Sequence, residues 1–180
     1  MQRVKPDLDR WLPETTLRVA HRRDTTASGQ ALWQAASTVP LTDAGRLGRL
    51  IRWRIPGLEQ DVTFDALFRE PPFIVLDEGE QCLVSGLVGR IWTLRRDYPE
   101  LGTPDEFRDW AQRGTARVVF ANWVEEHDQG AALASEARVE GVGRQGRMGV
   151  AAVRPLVRAF QNLVGSEGIA AAVRRAERGG

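Results

Sequence analysis

Residues 116–140 read ARVVFANWVEEHDQGAALASEARVE, and this stretch decides the fold class. Ala116 to Glu126 and Ala131 to Glu140 read as strands, rich in β-branched and aromatic residues in the first half. The polar turn His127-Asp128-Gln129-Gly130 between them is too short for a crossover, so the pair is antiparallel. The remainder of the chain is helical. Val150, Val153, Val157, Phe160 and Val164 recur at three-four spacing as one apolar stripe. Pro155 removes an internal hydrogen bond and is expected to kink or restart that helix. Gly165-Ser166 is a second expected break, after which Ile169 and Val173 continue the stripe. No strand returns after this helix. Strands followed by a segregated helix indicate an α+β domain, with the apolar helix face covering the sheet.

Upstream segments supply the remaining elements. Thr15 to Asp24 reads as a strand with Leu17, Val19 and His21 on one face. Ser28 is placed to cap a short helix through Trp33 and Ala36. Leu47, Leu50 and Ile51 take helical spacing between Thr42 and Ile55, and Pro56-Gly57 stops that run. Phe64, Leu67 and Phe68 form another short helical stripe. Phe73 to Glu78 and Cys82 to Val88 read as a hairpin around Asp77-Glu78-Gly79-Glu80. Gly89 to Trp92 continue into a further strand or a lead-in turn. Pro104 to Gln112 is a helical connection that Thr103 can cap. The expectation is a sheet of about six strands within a single domain spanning residues 1–180.

Composition limits the function classes. Hydrophobic residues make up 42% and charged residues 27% of the 180, ordinary globular usage. Six tryptophans accompany one tyrosine, and those indoles need packing or a pocket wall. A formal charge of +1 gives no global attraction for nucleic acid. No apolar run approaches the ~20 residues of a membrane span, and the N-terminus lacks a signal-peptide core, so a cytoplasmic protein is expected. Cys82 stands alone, which excludes an internal disulfide and a cysteine-rich zinc site.

Several motifs carry a sharp and a bland reading. Gly141-Val142-Gly143-Arg144-Gln145-Gly146 is formally G-x-G-x-x-G. The dinucleotide fingerprint needs a βαβ unit, however, so the pattern reads as a flexible strand-to-helix hinge and no cofactor is expected. His21 and His127 lack an H-x-x-x-H partner, and no metal is expected. His127 reads as a solvated turn residue. His21 shares a face with Leu17 and Val19, as a core histidine or as a ligand contact. No nucleophile elbow occurs, and Cys82 reads as inert packing. Glu136 and Arg138 share a strand face, as a surface pair, a buried bridge or a ligand anchor. Arg46, Arg49, Arg52 and Arg54 can mark a membrane-docking helix but read better as a solvated face.

The order of elements, with PFIVLDE (72–78), LVSGLVGRIW (83–92), ARVVFANWVEE (116–126), ALASEARVEGV (132–142) and PLVRAFQNLVGSEGIAAAVRRAE (155–177), resembles the START-like helix-grip superfamily. That superfamily includes Bet v 1-like proteins and polyketide cyclases, and the resemblance is to an uncharacterised bacterial branch. It implies a curved antiparallel sheet wrapped around a long C-terminal helix, with a cavity for a small hydrophobic or amphipathic molecule. Glu136 and Arg138 stand where that branch carries a Thr-Glu-Thr-Arg run, with Ser135 and Ala137 in place of the threonines. Gly89, Arg90 and Trp92 match its Gly-Arg-x-Trp turn.

The residue chemistry permits such a pocket independently, with Trp92, Phe120, Phe160 and His21 as walls and Arg90, Glu136 or Arg138 as polar anchors. Non-catalytic binding is the expected function. Two alternatives stand beside it: a cyclase- or hydrolase-like enzyme using His21 or Glu136 as acid or base, and a protein-interaction module, with homodimerisation expected.

Overall fold

The computed structural model describes residues 5–54, 62–93, 95 and 98–179. Among the described residues five strands form one antiparallel sheet: β1 (Leu17–Thr25), β2 (Ile74–Gly79), β3 (Cys82–Gly89), β4 (Ala116–His127) and β5 (Gly130–Gly141), in the order β1-β5-β4-β3-β2. The expected sixth strand is absent among the described residues, because Arg90 to Thr93 form a turn. The hairpin read at residues 116–140 pairs without a slip, from Ala116 opposite Gly141 to His127 opposite Gly130. β1 then lies along the far side of β5, with His21 opposite Ser135.

Side chains alternate between the two faces of a strand, and directly opposed residues share a face. Leu83, Phe120, Ser135 and His21 therefore project to one face, and Val84, Val119, Glu136 and Arg18 to the other.

The helices are α1 (Gly29–Thr38), α2 (Gly45–Arg54), α3 (Phe64–Arg69), α4 (Pro104–Arg108), α5 (Gly143–Leu163) and α6 (Ala170–Gly179). Ser28, Thr63 and Thr103 cap α1, α3 and α4 by accepting from the backbone N–H three residues on. The expected stop at Pro56-Gly57 lies outside the described residues.

The closing helix is more continuous than its sequence implies. α5 runs through Pro155, whose missing N–H falls among solvent-exposed residues, where water can serve the freed carbonyl. At Gly165-Ser166 the expected break is instead a widened π-helical turn, Val164–Ile169, leading directly into α6. Ile169 at the end of that turn and Ala172, Val173 and Ala176 of α6 then pack against Leu32, Ala35 and Val39. The result is an antiparallel sheet gripping a long C-terminal helix, the helix-grip arrangement.

The glycine-rich corner between β5 and α5 is packed rather than flexible. A Cβ at Gly146 would run into the carbonyl of Thr115, and one at Gly141 into the backbone of Arg147. Gly143 turns the chain with φ +71°, a left-handed conformation that suits glycine. Val142 meanwhile exchanges backbone hydrogen bonds with Gly114 and Thr115 at 3.0 and 2.9 Å. The three glycines bring a helix close onto a neighbouring strand, a steric demand that mimics the phosphate-binding pattern.

The opposite face of the sheet is also covered. Leu8, Trp11 and Leu12 from the N-terminal segment, with Phe107 of α4, are buried against Val84, Val88, Val119 and Trp123. Phe107 lies so close over Gly86 that an added Cβ would sit 2.8 Å from its ring. This second layer explains why Ala131 through Val139 of β5 are buried without interruption.

Candidate functional site

A partly open cavity of about 70 Å³ lies between the sheet and the closing helix. β3, β4 and β5 supply Leu83, Phe120, Asn122, Leu133 and Ser135 as its floor. Trp33 of α1 and Phe64 and Phe68 of α3 form a side wall, and Phe160, Gln161, Val164 and Ile169 the roof. The π-helical turn thus lies directly over the cavity, contributing Val164, Gly168 and Ile169. At one end Phe68 and Phe73 meet edge-on at 5.1 Å, and both rings reach Phe120, at 5.3 and 5.8 Å. Such ring packing fixes the shape of an apolar wall.

The polar groups are few. Asn122 and Ser135 are directly opposed across β4 and β5, and His21 extends that row on β1. Gln161 is 1% exposed, and its Oε1 has no hydrogen-bond partner among the described residues. His21 Nε2 and Ser85 Oγ, on the same face of the sheet, are likewise buried without a partner among the described residues. Each such group costs roughly 1–3 kcal/mol unless something fills the gap. Asp65 is the one carboxylate on the described lining, and it accepts from Arg69 Nε at 2.7 Å. No cluster of metal-ligating side chains occurs among the described residues.

Of the residues singled out in the sequence, Phe120 and Phe160 line this cavity. His21 shares its sheet face but is not on its lining. Trp92 packs at the other end of the layer, where its ring meets Gly149 of α5. Arg90 is exposed in the turn after β3.

Glu136 and Arg138 belong to the opposite face, so they cannot anchor a ligand in this cavity. Period-two alternation put them together correctly, and their places opposite Ala121 and Val119 of β4 turn both away from the helix. There Arg138 Nε donates to Glu136 Oε1 at 2.6 Å, and Arg18 Nη2 donates to its Oε2 at 2.9 Å. Arg138 Nη1 also reaches Asp9 and the carbonyl of Leu12. Burial pushes the Glu136 carboxyl upward, but the hydrogen bonds from Arg18 and Arg138 outweigh it and hold the group below the usual range. This is a clasp for the N-terminal segment, and its carboxylate is unsuited to taking up protons in the cavity.

The sequence reading did not single out Asn122, Gln161, Trp33, Phe64 or Phe68 as site residues. Gln161 carried a signal, since it falls four residues after Val157 on the buried stripe of α5. Asn122 carried another, as a polar residue two positions from Phe120 on one strand face. Of the arginines read as a solvated face of α2, Arg46 and Arg49 are exposed, and the side chains of Arg52 and Arg54 lie outside the described ones. No described helix is long and apolar enough to cross a membrane.

No family model matches this sequence, and no curated protein matches it. Solved structures do match along the chain. Protein MLL2253 from Mesorhizobium loti is 15% identical with a TM-score of 0.38, covering 90% of this chain and 98% of its own. A putative uncharacterised protein from Rhizobium leguminosarum is 8% identical with a TM-score of 0.41, covering 90% and 95%. The Zhui aromatase/cyclase from Streptomyces sp. R1128 is 14% identical with a TM-score of 0.36, covering 91% and 98%. At these values none carries an argument about the chemistry of this chain.

Proposed function

We propose that the protein binds a small apolar or amphipathic molecule between its sheet and its closing helix. The observation that carries this reading is the partly open cavity itself, walled by Trp33, Phe64, Phe68, Phe120 and Phe160. Small-molecule sites have this composition, apolar and aromatic walls with few polar groups. Apolar area supplies most of the affinity, at about 25 cal/mol per Å² removed from water.

The cavity is smaller than the ~300 Å³ or more expected for a drug-sized ligand. At about 70 Å³ it has room for a few waters in this conformation. A larger guest therefore requires the roof to lift, and the π-helical turn with Gly165 and Gly168 is the place where α5 can shift relative to α6.

Native mass spectrometry of the purified protein, followed by denaturing extraction, tests the reading. A co-purified small molecule, or a thermal upshift with members of a lipid and polyketide panel, is the expected result. An unliganded mass together with no shift across the panel would count against it. Phe160→Ala, which removes part of the roof, is expected to widen the range of accepted guests.

A further inference from the structure

Resting on that cavity reading, we infer that the ligand carries no negative charge and presents a hydrogen-bond donor, a hydroxyl or N–H, to Gln161 Oε1. Gln161 is held by α5 on the roof of the cavity, is 1% exposed, and keeps an acceptor with no partner among the described residues. A buried amide oxygen left in an apolar surround is unfavourable, and a donor on the guest removes that cost. Asn122 and Ser135 on the floor are neutral as well, able to accept or donate.

Negative charge is excluded by what surrounds the guest. Among the described lining residues there is no arginine, lysine or histidine, so a carboxylate would be buried without a counter-charge. Asp65 would repel it further. The aromatic walls accept a ring face or an alkyl chain equally, so the selectivity lies in the polar end.

Three single-ring probes separate the terms: phenol, toluene and benzoate, titrated at pH 7 into the full chain and followed by amide chemical shifts. Phenol is expected to bind at least as tightly as toluene, and benzoate not to bind. Gln161→Leu is expected to weaken phenol by about tenfold while leaving toluene unchanged or tighter, the loss of one neutral hydrogen bond in a dry site. Toluene binding with phenol rejected by the unmodified protein would overturn the inference while sparing the cavity reading. Benzoate binding as well as phenol would do the same. If none of the three binds, the cavity reading falls and takes this inference with it. The unmodified protein alone supplies the ordering should the leucine variant fail to fold.

Discussion

Arg138 donates to Glu136 at 2.6 Å on the face of the sheet that looks away from the closing helix, and both side chains are at least nine-tenths buried. The pair fixes the N-terminal segment through Asp9 and the carbonyl of Leu12. Arg138→Ala leaves Glu136 buried with Arg18 as its remaining cation. A loss of about 3–5 kcal/mol in chemical denaturation is expected. Amide exchange at residues 8–12 should quicken in the same variant, while binding of cavity probes stays as it was. Unchanged exchange at those residues would separate the pair from any role in holding the segment.

The same clasp makes stability depend on acid. Glu136 has a folded-state pKa below its ordinary 4.5, so the folded state binds fewer protons than the unfolded one just below that value. Its contribution is complete above about pH 4.5 and is lost as the pH falls through the folded pKa. Asp9, lowered by its hydrogen bond from Arg138, acts in the same direction from 3.8 downward. Acid titration followed by tryptophan fluorescence should show Trp11 becoming solvated in this range. In Glu136→Gln that part of the pH dependence should vanish.

Cys82 is expected to be slow toward thiol reagents. Burial, with a smaller contribution from the Asp77 charge, pushes its thiol up to about 11, so little thiolate exists at pH 8. Labelling with a chromogenic disulfide should be slow in buffer and rapid in denaturant. Fast labelling of the folded chain would show that β3 opens locally far more often than a strand with both faces covered should.

The glycine corner gives a steric prediction. Gly146→Ala places a methyl group against the Thr115 carbonyl, and backbone cannot yield as a side chain can. A destabilisation of about 1–3 kcal/mol is expected. Gly102→Ala is the control, since its nearest neighbour would be the flexible end of Glu106 at 3.4 Å. Equal effects of the two substitutions would remove the packing account of the corner.

The strands and helices were legible because each announced itself locally. The hairpin at 116–140, the Ser28 and Thr103 caps and the stripe Val150–Val157–Val164 all correspond to elements of the structure. The site was legible in part. Phe120 and Phe160 were found because they sit on periodic apolar faces. Glu136 and Arg138 were misdirected because period two states that two residues share a face but not which face meets the helix. That choice depends on the pairing with Ala121 and Val119 and on Leu8, Trp11 and Leu12, a short segment with no period to reveal that it packs behind the sheet. Pro155 and Gly165 are exposed or at a widened turn, so their local preferences were absorbed without a break.

Leu12 and Phe107, behind the sheet, bear on how the molecule can yield. Neither is accessible to solvent, and with Val84, Val88 and Val119 they brace the strands from the rear. A braced wall cannot bow outward to admit a larger occupant without breaking close packing over its whole area. Compliance is therefore one-sided. Space gained in front of the sheet has to be taken from the packing of the closing helix on the sheet and on α1 and α2. The stiffness of that layer, more than the curvature of the strands, sets the upper size of anything held beneath it.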